Sequence, residues 1–458
     1  MSTSRAQPTK QPNIVFVFAD QMRQSLLEGE QVQIPNLAAF AQEGMAFSRA
    51  ISNTPVCCPA RASILTGLHT LNHEVVFNDK ALRTDLKSIA HCLNEDGYSC
   101  GYIGKWHLDC EDRGVFVPPG PRRQGFDDFW AAYNCNHDYY KAYYYLNDDP
   151  EPHWIDGYEP FKQTELAVEY IQEKVQQESP FCLFVSFGTP HCPYRRAPQD
   201  YLDMYPEDEI VLKPNVSDDV DKAAIAGYYA HVTALDDCFG SILDSIEDSG
   251  VSDDTIVVFT SDHGDMLFSQ GRGWKCKPWA ESVGIPFLVR WPGHVPAGST
   301  SNSPVSLVDV MPTLLALAGC DKAPEHIDGV DLSDLFLGNK ATVQPSVFIN
   351  MPVVPKAYSF TEWRGIVTER YTYARFRDTP WVLYDDRDDP YQMRNLANSP
   401  EHQALQTQLE EQLNGWLEKL GDPFASSDTV AEELYKGSQD CMMPFYENDI
   451  IRSGKGID

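Results

Sequence analysis

The chain of 458 residues has no apolar run long enough to cross a bilayer, so a helical membrane anchor is not expected. Positive charge is scarce. There are 36 Lys and Arg against 67 Asp and Glu, a formal net charge of −31. Such a chain has no general positive field to attract phosphates, which argues against nucleic acid as a partner. Paired cysteines are missing too: the 12 cysteines include no CxxC spacing, and the only adjacent pair is Cys57-Cys58. Free, mostly buried thiols are expected rather than a zinc site or a disulfide framework. The first residues, Met1 to Pro12, are polar and lack the apolar core of a secretory leader. The chain as written is therefore expected in the cytoplasm, or in the periplasm or outside the cell if a leader precedes it. No internal repeat and no low-complexity segment is present.

What is there is the composition of a globular protein, 42% hydrophobic and 12% aromatic, with enough length for a large core. Short continuous apolar runs read as buried strands: Ile14 to Ala19, Ser99 to Ile103, Phe181 to Phe187, Thr255 to Thr260 and Ile285 to Trp291. Between them lie helical patterns, from Pro35 to Gly44, Leu86 to Asn94, Thr164 to Gln177, and Asp219 to Asp248 as one helix or two. Alternation of this kind predicts an α/β fold, a large mostly parallel or mixed sheet sandwiched by helices. Ligands collect beyond the carboxyl ends of such strands. Asp20, Gly104-Lys105, His191 and Asp262 all fall just past strand ends.

The character changes after about Thr342. Val347 to Ile349, Gly365 to Val367, Tyr371 to Phe376 and Trp381 to Tyr384 read as short antiparallel strands, and Glu401 to Leu420 as an amphipathic helix. We therefore expect a catalytic domain over residues 1–345 and a smaller C-terminal sheet-plus-helix subdomain over 346–458. Its tail, Ala425 to Asp458, reads as irregular, with Cys441 to Phe445 docking on the body.

The chemistry-bearing residues come in ordered clusters. Asp20-Gln21 closes the opening strand. Cys57-Cys58-Pro59-Ala60-Arg61 runs on into Ala62-Ser63-Ile64-Leu65-Thr66-Gly67. Gly104-Lys105-Trp106-His107 and Thr189-Pro190-His191 each follow a strand. Ser261-Asp262-His263-Gly264-Asp265 is followed by Lys275-Cys276-Lys277-Pro278-Trp279-Ala280-Glu281-Ser282 and by Arg290-Trp291-Pro292-Gly293. Leu383-Tyr384-Asp385-Asp386-Arg387-Asp388-Asp389-Pro390, then Asn395-Leu396-Ala397, close the series. Any one cluster arises by chance; the ordered set does not.

This set resembles the type I sulfatases of the alkaline phosphatase superfamily. The resemblance implies an alkaline phosphatase-like fold and hydrolysis of a sulfate monoester. It also implies that Cys57 is oxidised after translation to formylglycine, whose hydrate is the nucleophile. The register selects Cys57 over Cys58, because Pro and Arg must stand two and four residues on. Asp20, Gln21, Asp262 and His263, together with formylglycine 57, resemble the ligands of one divalent metal. Oxygen donors suit Ca²⁺, with Mg²⁺ or Mn²⁺ as alternatives. Asp20 and Asp262 also read as strand-end caps.

Arg61, one helical turn from Cys57, is expected to steady the hydrate. Lys105 and His107 alternate on an extended segment and so should share a face. The family implies that Lys105 binds a sulfate oxygen and that His107 takes a proton when the adduct collapses. His191 resembles the histidine that faces the leaving oxygen with a lysine. Lys275 is the first candidate for that lysine and Lys277 the second. Asn78, His69 and His73 either line the pocket or lie in a solvated loop. Cys135 to Tyr140, Tyr143 to Tyr145 and His153-Trp154 form an aromatic, polar insertion that either stacks on sugar rings or simply packs.

The expected substrate is a sulfated small molecule or, by that surface, a glycan. The expected protein partner is a formylglycine-generating or anaerobic sulfatase-maturing enzyme. Two departures from the pattern matter. Gln21 stands where many members have an acid, and His263 where many have Asn. Both resemble the phosphonate monoester hydrolases of the same superfamily, so a phosphonate monoester or phosphodiester hydrolase is the alternative. Lys105 and His107 speak for the sulfatase. A silent binding protein that keeps the fold is a further alternative, against which every expected catalytic position is filled.

Overall fold

The computed structural model describes residues 10–109 and 112–434. Its centre is a ten-stranded mixed sheet. From one edge the order is Ser299–Ser301, Met45–Phe47, Phe287–Arg290, Thr255–Ser261, Asn13–Asp20, Phe181–Pro190, Ser99–Lys105, Phe129–Tyr133, Tyr143–Leu146 and His153–Trp154. The five strands from Thr255–Ser261 to Phe129–Tyr133 are parallel, in registers such as Ile14 opposite Cys182 and Ile256. Four of them are apolar runs read in the sequence and Phe129–Tyr133 is a fifth that the sequence reading did not include; their interiors are buried on both faces.

Alternate residues serve opposite layers. Phe16, Tyr102, Phe184 and Val258 pack with the helices Cys57–Thr66, Ile89–Glu95 and Val310–Ala318. Val15, Val17, Ile103, Val185 and Val257 pack with Pro35–Glu43, Glu159–Lys174 and Lys222–Asp248. The last of these is one helix of 27 residues, opened by an Asp221 side chain that accepts from the Ala224 N–H. Among the described residues no helix is long and apolar enough to cross a membrane, and each cysteine is a free thiol.

The strand expected over Ile285 to Trp291 forms as Phe287–Arg290 and runs antiparallel to Thr255–Ser261. A parallel return needs a long crossover, usually a helix. The intervening chain has only the short helix Ala280–Val283, so it turns back from the end at which it emerges.

The C-terminal strands Ser346–Met351, Trp363–Thr368, Tyr371–Arg375 and Pro380–Asp385 form a four-stranded antiparallel sheet. One face, with Phe348, Ile366, Tyr373 and Leu383, is covered by Leu409 and Leu413 of the helix Gln403–Leu420. The other, with Val347, Ile349, Val367 and Val382, packs on Val56, Val76, Met266 and Trp279, beside the segments that carry the site. Asn350 adds polar contacts. Its side-chain oxygen accepts from Thr54 (2.6 Å) and its N–H donates to the Asn53 carbonyl (2.8 Å).

The tail departs from the irregular reading in one place. Ser427–Leu434 is a helix, because Val430, Ala431 and Leu434 recur at helical spacing and dock on the same cluster. Cys441 to Phe445 lies outside the described residues.

Candidate active site

Cys57 is the first residue of the helix Cys57–Thr66, and its neighbours arrive from the carboxyl ends of the parallel strands. The Cys57 Sγ lies 3.3 Å from His263 Nε2, 3.4 Å from Lys275 Nζ, 3.7 Å from Asp20 Oδ1 and 3.9 Å from Lys105 Nζ. Asp20, Asp262, His263, Lys105 and Lys275 are all buried.

Arg61 acts below this ring. Its guanidinium reaches Asp262 Oδ2 (3.0 Å), Asp20 Oδ2 (3.2 Å), the Lys105 carbonyl (2.8 Å) and Ser186 Oγ (2.7 Å). It therefore holds both carboxylates, where the sequence suggested that it steadies the nucleophile itself.

The ligand-type atoms of Asp20, Cys57, Asp262 and His263 all lie within 4.8 Å of one another. His263 Nδ1 lies 2.9 Å from the Gly264 carbonyl. A carbonyl only accepts, so Nδ1 carries a proton; Asp262 favours a second proton on the ring, and a cation bound among the acids would take that place at Nε2. Two carboxylates, an imidazole lone pair and an oxygen at position 57 make a donor set that fits a hard divalent cation. Gln21 is also present. Its side-chain oxygen accepts from Lys275 Nζ (2.6 Å), and its Nε2 donates to Asp265 (2.7 Å). Gln21 has φ 74° and His107 φ 54°, left-handed values that a side chain holds only when its surroundings fix it.

The electrostatics favour negative charge at position 57. Burial and Asp20 push the Cys57 thiol up, but Lys105, Lys275 and His263 prevail and hold it well below its ordinary value. Burial would also raise the Asp20 carboxyl; Lys105 first, then His191, Lys275 and Arg61, hold it well below the usual range. Burial and then Asp20 raise the Asp262 carboxyl, against His263 and Arg61. Two buried acids this close call for positive charge between them.

The other expected residues separate into those brought together and those not. His191 Nδ1 lies 2.9 Å from the Cys192 carbonyl, and its ring stacks on His137 at 4.0 Å. Burial and Lys275 depress its basicity well below the ordinary value. Lys277 turns away from the site, donating to the Gly273 and Lys275 carbonyls. Lys105 and His107 do not share a strand face: the strand ends at Lys105 and the positive φ of His107 breaks the alternation.

His107 Nε2 instead meets Asp79 Oδ1 at 3.1 Å, and Asp79 takes a two-pronged contact from Arg113 at 2.8 Å on each side. Asn78 accepts from the Cys58 N–H (3.0 Å), capping the nucleophile helix. His69 and His73 are buried structural residues. His69 lies between Phe348 and Trp416, and His73 contacts Ser63 Oγ at 3.1 Å.

Sequence reasoning missed Asp79 and Arg113, and it placed Asp265 and His137 within clusters without giving either a role. Asp79 follows Asn78 in a stretch with no periodicity, so only the fold reveals that it faces His107. Asp79→Asn is expected to lower kcat about 10²-fold with little change in KM, because a carboxylate at Nε2 strengthens Nδ1 as a proton acceptor. Steady-state kinetics checks this.

This fold and this site define a hydrolase of the alkaline phosphatase superfamily. The sulfatase family model matches residues 12–320, and a model for the C-terminal part of N-sulphoglucosamine sulphohydrolase matches residues 272–419. The chain belongs to the sulfatase family and is a sulfuric ester hydrolase. It is 39% identical to an ulvan-active sulfatase of Formosa agariphila over 98% of this chain and 89% of that one. It is 30% identical to an endo-4-O-sulfatase of Bacteroides thetaiotaomicron over 94% of this chain and 96% of that one. A solved structure described with the metabolism of multiple glycosaminoglycans by B. thetaiotaomicron superposes with a TM-score of 0.83. It is 29% identical and covers 93% of this chain and 99% of its own.

Proposed function

We propose that the protein hydrolyses a sulfate monoester on a carbohydrate, through formylglycine made from Cys57 and one divalent cation, Ca²⁺ with Mg²⁺ or Mn²⁺ as alternatives. The observation that carries the reading is the surroundings of Cys57. Its side chain stands between an Asp20, Asp262 and His263 cation site and the ammonium groups of Lys105 and Lys275. The carbohydrate rests on the ulvan-active and endo-4-O-sulfatase relatives. The catalytic unit is assigned to residues 1–345 and the subdomain that backs its wall to 346–458. Maturation requires a formylglycine-generating or anaerobic sulfatase-maturing enzyme.

Oxidised and hydrated, position 57 offers one hydroxyl to attack sulfur and a second through which sulfate is expelled, with no attack of water at sulfur. When bound, the cation supplies polarisation at the attacking oxygen. Gln21, whose side-chain oxygen meets Lys275, would be a further candidate ligand to it. Lys105 and Lys275 hold the sulfonyl oxygens and balance the charge that develops on them. Arg61 fixes the two carboxylates. His107, held at Nε2 by Asp79, takes the proton of the second hydroxyl. His191 and Lys275 face the leaving oxygen. With its basicity depressed, a protonated His191 gives up its proton readily.

Rates on a sulfate monoester, a phosphonate monoester and a phosphodiester, measured side by side, test the assignment. The sulfate ester is expected to be turned over fastest. Equal or faster turnover of either phosphorus ester would overturn it in favour of the phosphonate hydrolase reading.

A further inference from the structure

The sheet continues past Lys105 to an edge that the mechanism does not use. Lys105 pairs with Tyr133, Ala132 pairs with Tyr145, and Tyr143 pairs with Trp154. These registers place Tyr143 and Trp154 one row beyond Lys105, on the rim where the carboxyl ends of the parallel strands hold the site. Three strand spacings separate the Lys105 strand from the Trp154 strand, about 14 Å.

A chain of contacts links the two along the rim. His107 meets Asp79, Asp79 meets Arg113, and the next residue, Gly114, accepts from the Tyr145 hydroxyl at 2.8 Å. Tyr143 lies 5.7 Å from Tyr145 and 5.2 Å from Trp154, ring centre to ring centre. Trp154 is 67% exposed, far more than structural packing of an indole needs.

We propose that Trp154, backed by Tyr143, is a distal subsite that stacks on a sugar ring of a polysaccharide whose sulfate ester lies at Cys57. The inference rests on the carbohydrate reading above. The occupant follows from position and chemistry. A single sulfated sugar at Cys57 does not span about 14 Å of rim, whereas an oligosaccharide does. A chain with a net charge of −31 repels a polyanionic glycan at long range. Stacking on an aromatic face gains affinity from apolar ring surface, which that repulsion does not oppose.

The test compares a sulfated tetrasaccharide with the corresponding sulfated monosaccharide in wild type, Trp154→Ala and Trp154→Phe. Trp154→Ala is expected to lower kcat/KM on the tetrasaccharide about tenfold, through KM, which is the size of one aromatic contact. The loss is confined to the longer substrate, Trp154→Phe recovers most of it, and thermal unfolding is unchanged because the indole is exposed. Unaltered tetrasaccharide kinetics in Trp154→Ala, or an equal loss on both substrates, overturns the subsite alone. A wild-type enzyme that turns over only non-carbohydrate sulfate esters overturns the carbohydrate reading and the subsite with it.

Discussion

Cys57→Ala is expected to reduce turnover of a sulfate ester by at least about 10⁴-fold, the scale of losing a covalent nucleophile. Cys58→Ala is expected to leave the enzyme active. The two thiols are adjacent in sequence but have opposite surroundings. Cys57 faces His263, Asp20, Lys105 and Lys275, and the cations hold its thiol well below the ordinary value. Cys58 turns to the other side, where its Sγ accepts from the Asp79 N–H at 3.3 Å and burial pushes its thiol up. A charged intermediate at position 57 is met by two ammonium groups; at position 58 burial prevails over the one favourable neighbour, His107. Initial rates of the two variants decide between them, and an inactive Cys58→Ala with an active Cys57→Ala would reverse the assignment.

Arg61→Ala carries the second large effect, and it falls on stability as well as rate. The guanidinium is buried beneath Asp20 and Asp262 and touches both carboxylates. Removing one partner of a buried ionic cluster costs about 3–5 kcal/mol, because the remaining charges are left without compensation. The variant is expected to unfold at lower temperature in the presence of a chelator and to regain part of the difference when a divalent cation is added, since the cation supplies positive charge between the same acids. Its activity should fall about 10²-fold or more even with the cation, because carboxylates displaced by an ångström no longer place the reacting groups. Arg61→Lys should not rescue, since one ammonium group cannot reach both acids, the Lys105 carbonyl and Ser186 together. Thermal unfolding with and without the cation checks this; an unshifted transition in chelator would refute it.

Much of this architecture is legible in the sequence because it depends on local patterns. The parallel strands are short continuous apolar runs, and Asp20, Lys105, His191 and Asp262 mark the points where those runs stop. Residues that act in sequence-local motifs, such as Cys57 with Arg61, were visible for the same reason. What was not legible depends on contacts distant in the chain. The Asp79 to His107 pairing spans 28 residues without a motif. His69 and His73 look like loop histidines until the C-terminal sheet supplies Phe348 as a neighbour to the first. The shared face expected for Lys105 and His107 failed because alternation holds only while the chain remains extended, and His107 turns left-handed. The reversed direction of Phe287–Arg290 depends on the lack of a long crossover helix, which apolar periodicity does not report. Gln21 and His263, the departures that suggested a phosphorus ester, both sit among the groups around Cys57.

The central claim is that the working group at position 57 is an aldehyde hydrate and not a thiol. It is tested most directly by the mass of the peptide containing residue 57, taken from protein co-expressed with a maturing enzyme and assayed for sulfate ester hydrolysis in the same preparation. The account predicts a peptide about 18 Da lighter than the encoded one, the change from thiol to aldehyde, with specific activity rising in proportion to the modified fraction. Full activity in protein whose Cys57 is wholly unmodified would contradict it.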